Sequence, residues 1–240
     1  MQDLPDTDIE HLFPSWIKAK AFTTRLVWLA RKSFIFDIGE AGAFYYRGSN
    51  TAVIPAALLT RPAFYPGLDP LSYGGAGQIT GHEITHAYDV DGIMSDEQGI
   101  NKNWTTPEFL KEYSKRTICL RRSHQAAEGR VARQEVIDDY TDSENLADFG
   151  GLIAAYHAFD SLPEPRRSIT LAGLNITAEQ LFFISFCVHF CGTVRDEADR
   201  HATFKARCNV PLMNMPEFSA AFNCKPGDYM NPPHKCTFWQ

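Results

Sequence analysis

Two histidines and a glutamate in one short run, His82-Glu83-Ile84-Thr85-His86, are the residues of this sequence best placed to do chemistry. On a helix, positions four apart share a face about one turn apart, so His82 and His86 can aim two imidazole nitrogens at one ion. Neutral imidazole suits Zn2+. Glu83 is rotated by roughly a quarter turn, which puts it beside the metal as a base for a water there. Two surface histidines on an amphipathic helix give the same spacing without any metal, so a third ligand has to decide. A catalytic zinc keeps three protein ligands and one open position. The segment Glu144-Asn145-Leu146-Ala147-Asp148-Phe149-Gly150-Gly151 offers Glu144 and Asp148 on one helical face. Glu144 is the candidate third ligand to a single Zn2+, although a carboxylate favoured by the dipole of a helix N-terminus would look the same. Asp148, and Asp89 three residues beyond His86, are candidates to hold the free ring N–H of a ligand histidine and so fix its tautomer.

These side chains need helices to present them. The segment from about residue 73 to 88 reads as a helix ended by Asp91-Gly92. Asp142 or Ser143 can cap another helix running to about 159. Apolar residues at three- and four-residue steps, Leu12, Trp16, Ala19, Phe22, Leu26 and Leu29, predict a helix over 8–34. Two extended runs, 43–46 and 51–54, flank Arg47-Gly48-Ser49-Asn50 and predict a hairpin. Residues 61–77, rich in Pro and Gly, read as a loop leading into the metal helix. Further helices are expected over 107–122 with Pro107 near the start, from Ala178 past Cys191 with Thr177 as cap, and over 216–222. The fold class is mainly α with one small β-sheet or hairpin, and nothing marks an internal repeat or low-complexity linker.

The chain has 240 residues, of which 44% are hydrophobic, enough for a sizeable core. A net charge of −6 argues against a nucleic-acid or anionic-membrane partner. The longest apolar run, 182–190, is half the length of a bilayer span and carries Cys187 and His189. The acidic start Met1-Gln2-Asp3 does not have the pattern of a signal peptide. Six cysteines form no C-x-x-C pair, so a structural zinc knuckle is not expected. The sequons Asn103-Trp104-Thr105 and Asn175-Ile176-Thr177 tilt the expectation towards a secretory environment and disulfides.

Several blocks, in order, resemble the C-terminal half of the neprilysin and endothelin-converting-enzyme family of zinc endopeptidases. Gly81-His-Glu-Ile-Thr-His86 with Asp89 is similar to the family's zinc helix, and Glu144 to Gly151 to its third-ligand signature. Ile54-Pro55-Ala56 and Arg61-Pro62-Ala63-Phe64-Tyr65 resemble the segment before the zinc helix. Cys191-Gly192-Thr193, Glu217-Phe218, Tyr229-Met230-Asn231-Pro232 and Cys236-Thr237-Phe238-Trp239 resemble the C-terminal signature. The resemblance implies a thermolysin-like, mainly helical zinc metallopeptidase lobe, one catalytic domain over 1–240 with the family's N-terminal lobe absent from it. It implies that His201 stabilises the oxyanion, that Arg207 binds substrate, and that Ala43 and Phe44 offer their backbone to a peptide laid along the edge strand. It implies a Cys119–Cys236 disulfide, and partners for Cys191 and Cys224 in the N-terminal lobe. Cys187 and Cys208 match no family cysteine, leaving Cys187–Cys191 or Cys208–Cys224 bridges open. It also implies an extracellular or cell-surface setting.

The sequence departs from the family in two places. Between Cys191 and His201 it is shorter by about two helical turns. Gly42 stands where the family has the edge-strand asparagine. The expected function is zinc-dependent hydrolysis of peptides, favouring a hydrophobic residue after the cut on account of Phe64 and the 182–190 segment. The alternative is a catalytically weak or inactive zinc-containing fragment that binds peptides.

Overall fold

A computed structural model of the chain describes residues 12–29, 41–129, 141–192 and 200–239. The chain divides into two compact units, Met1–Glu40 and Ala41–Gln240. The first contributes helix α1, Leu12–Leu29, on which Phe13 stacks with Trp16. The flanks of the helix expected over 8–34 lie outside the described residues.

In the second unit the expected hairpin is present. β1 (Phe44–Tyr46) pairs antiparallel with β2 (Thr51–Val53), with Phe44 opposite Val53 and Tyr46 opposite Thr51. A 3-10 turn over Arg47–Ser49 joins them, closed by Asn50 at φ 49°. The Tyr45 hydroxyl donates to Asn50 Oδ1 at 2.6 Å and pins that turn.

The metal helix starts earlier than its periodicity suggested. α2 (Asp69–Ser72) runs through a π-helical stretch, Tyr73–Gly77, into α3 (Gln78–Thr85). A Cβ at Gly74 would run into the carbonyl of Phe182, and one at Gly75 into that of Ala63. These two glycines let the π stretch press on α7 (Ala178–Val188) and on the preceding loop. α3 also ends sooner. His86 is its C-cap, and the Ala87 and Tyr88 N–H groups bond to carbonyls only three residues back, tightening the turn.

α4 (Pro107–Glu128) follows the sequence signals: Thr106 accepts from the Phe109 N–H, Pro107 opens the helix, and Gly129 closes it at φ 66°. α5 (Asp142–Asp160) is the central helix. Leu146, Ala147, Asp148 and Leu152 on it have no exposed surface. Neither Asp142 nor Ser143 caps it; the N-cap is Thr141, without a side-chain cap bond. The reason lies in neighbouring elements. Asp142 forms a buried ion pair with Arg121 of α4, and Ser143 donates to Asp89.

After a short α6 (Glu164–Arg167), α7 is held at its start by a reciprocal Thr177–Gln180 capping box. It stops at Val188 rather than continuing past Cys191. The last N–H groups, from Phe190 and Cys191, turn back to carbonyls three residues earlier, and Gly192 packs on the Phe204 ring. α8 (Phe204–Met213) has no counterpart in the sequence reading, and α9 (Pro216–Ala221) does. The core joins Phe149 and Phe159 of α5 to Phe182, Phe183 and Phe186 of α7 and Val210 of α8.

Two disulfides cross the unit. Cys119–Cys236 ties the C-terminal tail to α4, as the resemblance implied. Cys187 pairs with Cys208, not with Cys191, and Cys224 is not bridged to Cys208. α7 and α8 bring Cys187 and Cys208 to a Cα separation of 5.0 Å, whereas Cys191 sits one turn on from Cys187, its Sγ against the Cys187 carbonyl. Cys191 and Cys224 are free thiols.

Candidate metal centre

α3 and α5 meet almost backbone to backbone. A Cβ on Gly81 would lie 2.7 Å from the Gly151 carbonyl oxygen, and one on Gly151 would strike the His82 nitrogen. This approach places Glu144, in the first turn of α5, against both histidines of α3.

Glu144 Oε2 lies 3.4 Å from His82 Nε2 and 3.6 Å from His86 Nε2. The two Nε2 atoms are 3.0 Å apart. Each histidine has its other nitrogen committed: His82 Nδ1 to Asp148 Oδ1 at 2.9 Å, His86 Nδ1 to Asp89 Oδ2 at 2.6 Å. With the protons on Nδ1, where a carboxylate receives them, both Nε2 lone pairs face each other and a carboxylate oxygen. Three electron-rich atoms in that arrangement repel unless a cation sits between them. His82, His86 and Glu144 therefore fit a small divalent ion of zinc type, and these ligand atoms lie within 4.8 Å of one another.

The supporting residues are just as ordered. Asp148 is fully buried, and Arg207 grips it with Nε to Oδ2 at 2.7 Å and Nη2 to Oδ1 at 2.8 Å. Burial disfavours the Asp148 charge, yet Arg207 and then His82 outweigh it and hold the carboxyl below its usual range. Asp89, also buried, accepts from Ser143 and from the Asp91 and Gly92 N–H groups while it holds His86. Burial likewise works against Glu144, but His201 and His82 keep it ionised. Glu83 is buried beside the histidines, and that burial pushes its carboxyl up.

A cleft of about 340 Å³ opens over these groups. Its walls include Ala43, Phe44 and Tyr45 together with Arg200 and His201. His201 Nε2 comes within 2.9 Å of Glu144 Oε2, so the shorter path from Cys191 still delivers this histidine to the site. Residues 193–199 on that path lie outside the described residues. Arg207 approaches through Asp148, with its guanidinium 4.8 Å over the Phe190 ring. Of the 182–190 segment, read as favouring a hydrophobic residue after the cut, Phe182, Phe183 and Phe186 are buried in the core.

Residues 42–238, which contain every group just described, match the pattern of peptidase family M13. The chain belongs to that family. Among curated M13 relatives, it is 39% identical over 207 residues to an endothelin-converting enzyme homolog of Locusta migratoria, covering 82% of this chain and 28% of the relative. It is 34% identical to human neprilysin, covering 87% and 29%. Among solved structures it is similar to the Mycobacterium tuberculosis zinc metalloprotease Zmp1, with TM-score 0.76 and 25% identity over 97% of this chain and 38% of that one. The Haemonchus galactose-containing glycoprotein complex shares the fold, with TM-score 0.79 and 24% identity over 98% and 39%. The chain thus spans less than a third of the length of these curated M13 relatives.

The sequence did not flag Arg47, Arg200 or Tyr45, which also line the cleft. A signal was available in part: Arg200 precedes His201, and Arg47 follows the edge strand directly.

Proposed function

We propose that this lobe is a zinc-dependent endopeptidase acting on peptides. The observation that carries the reading is the convergence of His82 Nε2, His86 Nε2 and Glu144 Oε2 in a cleft that also holds Glu83 and His201. When bound, zinc would polarise the scissile carbonyl and acidify a water. Glu83 accepts the proton of the attacking water and passes it to the leaving amine. His201 donates to the oxyanion, a contact worth several kcal/mol where a site excludes water. Ala43 and Phe44 would align the peptide through their backbone groups. Arg207 serves first by fixing Asp148, and the substrate contact implied by the resemblance is part of the proposal. The preference for a hydrophobic residue after the cut, read from Phe64 and the 182–190 segment, is part of the proposal, although these residues are not among those that line the cleft. The exposed sequon residues Asn103 and Asn175 and the two disulfides support an extracellular or cell-surface setting. Among the described residues, no helix is long and apolar enough to cross a membrane.

Metal analysis and cleavage of a neutral peptide, with and without chelator, test this. Wild type should carry near-stoichiometric zinc and cleave, Glu83→Gln should keep zinc and lose cleavage, and Glu144→Ala should lose most of the zinc. A zinc-loaded wild type without turnover would favour the peptide-binding alternative. Full zinc in Glu144→Ala would overturn the ligand set.

A further inference from the structure

We propose that a notch walled by Tyr45, Tyr88 and Trp104, with Asp96 and Glu97 at its edge, is a subsite that takes a basic side chain, arginine or lysine, of the bound peptide. The inference rests on the reading of the neighbouring cleft as the peptide site.

The notch, of about 240 Å³, lies between the hairpin and the loop that follows α3. It adjoins the cleft, because Tyr45 lines both. A peptide laid along β1 past Ala43 and Phe44 reaches Tyr45 next. The walls are fixed without a ligand. The Tyr45 hydroxyl donates to Asn50 Oδ1 at 2.6 Å, and Asn50 Nδ2 donates to the Glu97 carbonyl at 3.2 Å, so hairpin and loop are tied together. Gly99, at φ 75°, lets the loop close on the hairpin turn; a Cβ there would lie 2.6 Å from the Arg47 carbonyl oxygen. Trp104 Nε1 donates to the Ser95 carbonyl at 2.9 Å, and the Tyr88 ring packs T-shaped against Trp239. Although held in this way, Tyr88 and Trp104 stay 48% and 46% exposed, so ring surface is open to a ligand.

Charge sets the kind of ligand. Among the described residues that line the notch, Asp96 and Glu97 are carboxylates and none is a cation. Lys102 comes only within 3.8 Å of Asp96 Oδ2, and Arg47, two residues on from Tyr45, is turned to Asp91 and Asp89. Asp96 Oδ1 accepts from the Gln98 and Ile100 N–H groups and shapes the loop, while the exposed Glu97 side chain accepts from the Gln98 amide. Ring faces beside a carboxylate suit a cation. A guanidinium stacks on a ring while its N–H groups reach the carboxylate, and an ammonium does the same with a single point of charge. A neutral aliphatic side chain gains the ring contact alone, and a glutamate meets like charge.

Peptide binding to the zinc-loaded Glu83→Gln chain, by fluorescence anisotropy, tests this. The probes are labelled octapeptides of neutral residues carrying Arg, Lys, Gln, Leu or Glu at each position in turn. One position should favour Arg over Gln by about tenfold, with Lys next and Glu weakest. At that position Glu97→Gln and Trp104→Leu should each bring the Arg/Gln ratio to about threefold or below. Trp104→Leu leaves the net charge of −6 unchanged, so it separates a ring–cation contact from the general attraction of an acidic chain for basic peptides. An Arg preference of equal size at every position, or one that either variant leaves unchanged, overturns the subsite. So does Leu binding as tightly as Arg, which would make the notch a plain apolar hollow. Should Trp104→Leu fail to melt cooperatively, Glu97→Gln decides, because that side chain is exposed: an unchanged ratio overturns the proposal. Cleavage of the same peptides by wild type separates the two readings. Cleavage with no Arg-selective position removes the subsite alone, an Arg-selective position without cleavage removes the peptidase alone, and absence of peptide binding removes both.

Discussion

Each histidine of the candidate metal site is held by a carboxylate that is itself held, and this hierarchy sets what single substitutions do. Arg207 fixes Asp148, and Asp148 fixes the His82 ring. Asp148→Ala should lower zinc affinity by about 10–100-fold in a chelator competition, with Arg207→Lys giving a smaller loss because an ammonium cannot reproduce the two-point grip. His124 makes a different prediction. It is fully buried on α4, both ring nitrogens are without hydrogen-bond partners, and burial pushes it down to about 4. As pH falls below about 6.5 the unfolded chain takes up this proton first, so the stability contributed by a neutral His124 is present above that pH and lost by about pH 4. The loss is on the order of 3 kcal/mol. Denaturant melts at pH 7 and pH 4 should show a smaller difference for His124→Leu than for wild type. Among the candidate site residues, His82, His86 and Glu144 were legible because coordination demands fixed residue types at fixed helical spacing. The cleft-lining Arg47 and Arg200 were not, because a residue that lines a cleft needs no pattern along the chain.

At the level of elements, the decisive contact is α3 against α5. Gly151→Ala should force the helices apart, costing about 1–3 kcal/mol or more of stability and disturbing His82 and Glu144 together. Thermal melts and zinc content of that one variant should fall in parallel; an unchanged zinc content with a lowered melting temperature would show that the ligands tolerate the displacement. The sequence announced α3, α4, α5, α7 and the hairpin through periodicity, caps and turn residues. Their ends were less legible. α7 beyond its first turn is almost wholly apolar, so nothing in its own sequence shows where packing stops; the turn at residues 189–191 and the Phe204 ring against Gly192 decide that. α8 escaped notice because Pro211 reads as a breaker, yet it falls near the end of a helix capped by Thr203 and fastened through Cys208.

For the molecule as a whole, the Cys119–Cys236 bond joins residues 117 apart and should contribute about 4–5 kcal/mol in the chain-entropy account. Peptide mapping without reduction, on protein from an oxidising host, should recover this bridge and Cys187–Cys208, with Cys191 and Cys224 alkylatable. The lobe taken by itself should bind zinc yet cleave peptides poorly and without preference for short ones, since the cleft is open and Gly42 offers no side chain to the substrate. Kinetics on matched short and long peptides check this; efficient cleavage with strong rejection of the longer one would contradict it. One property of α5 reaches further. The same helix buries Leu146 and Leu152 in the core and carries Glu144 to the candidate metal site and Asp148 to His82, so site and interior share one rod with no seam between them. Change in the chemistry therefore cannot be tried out without risking the fold, and room for evolutionary experiment is left to the margins. Gly42, one departure from the family pattern, falls on those margins, beside the cleft-lining Ala43, where a lineage can alter which substrates it accepts while the residues beneath stay fixed.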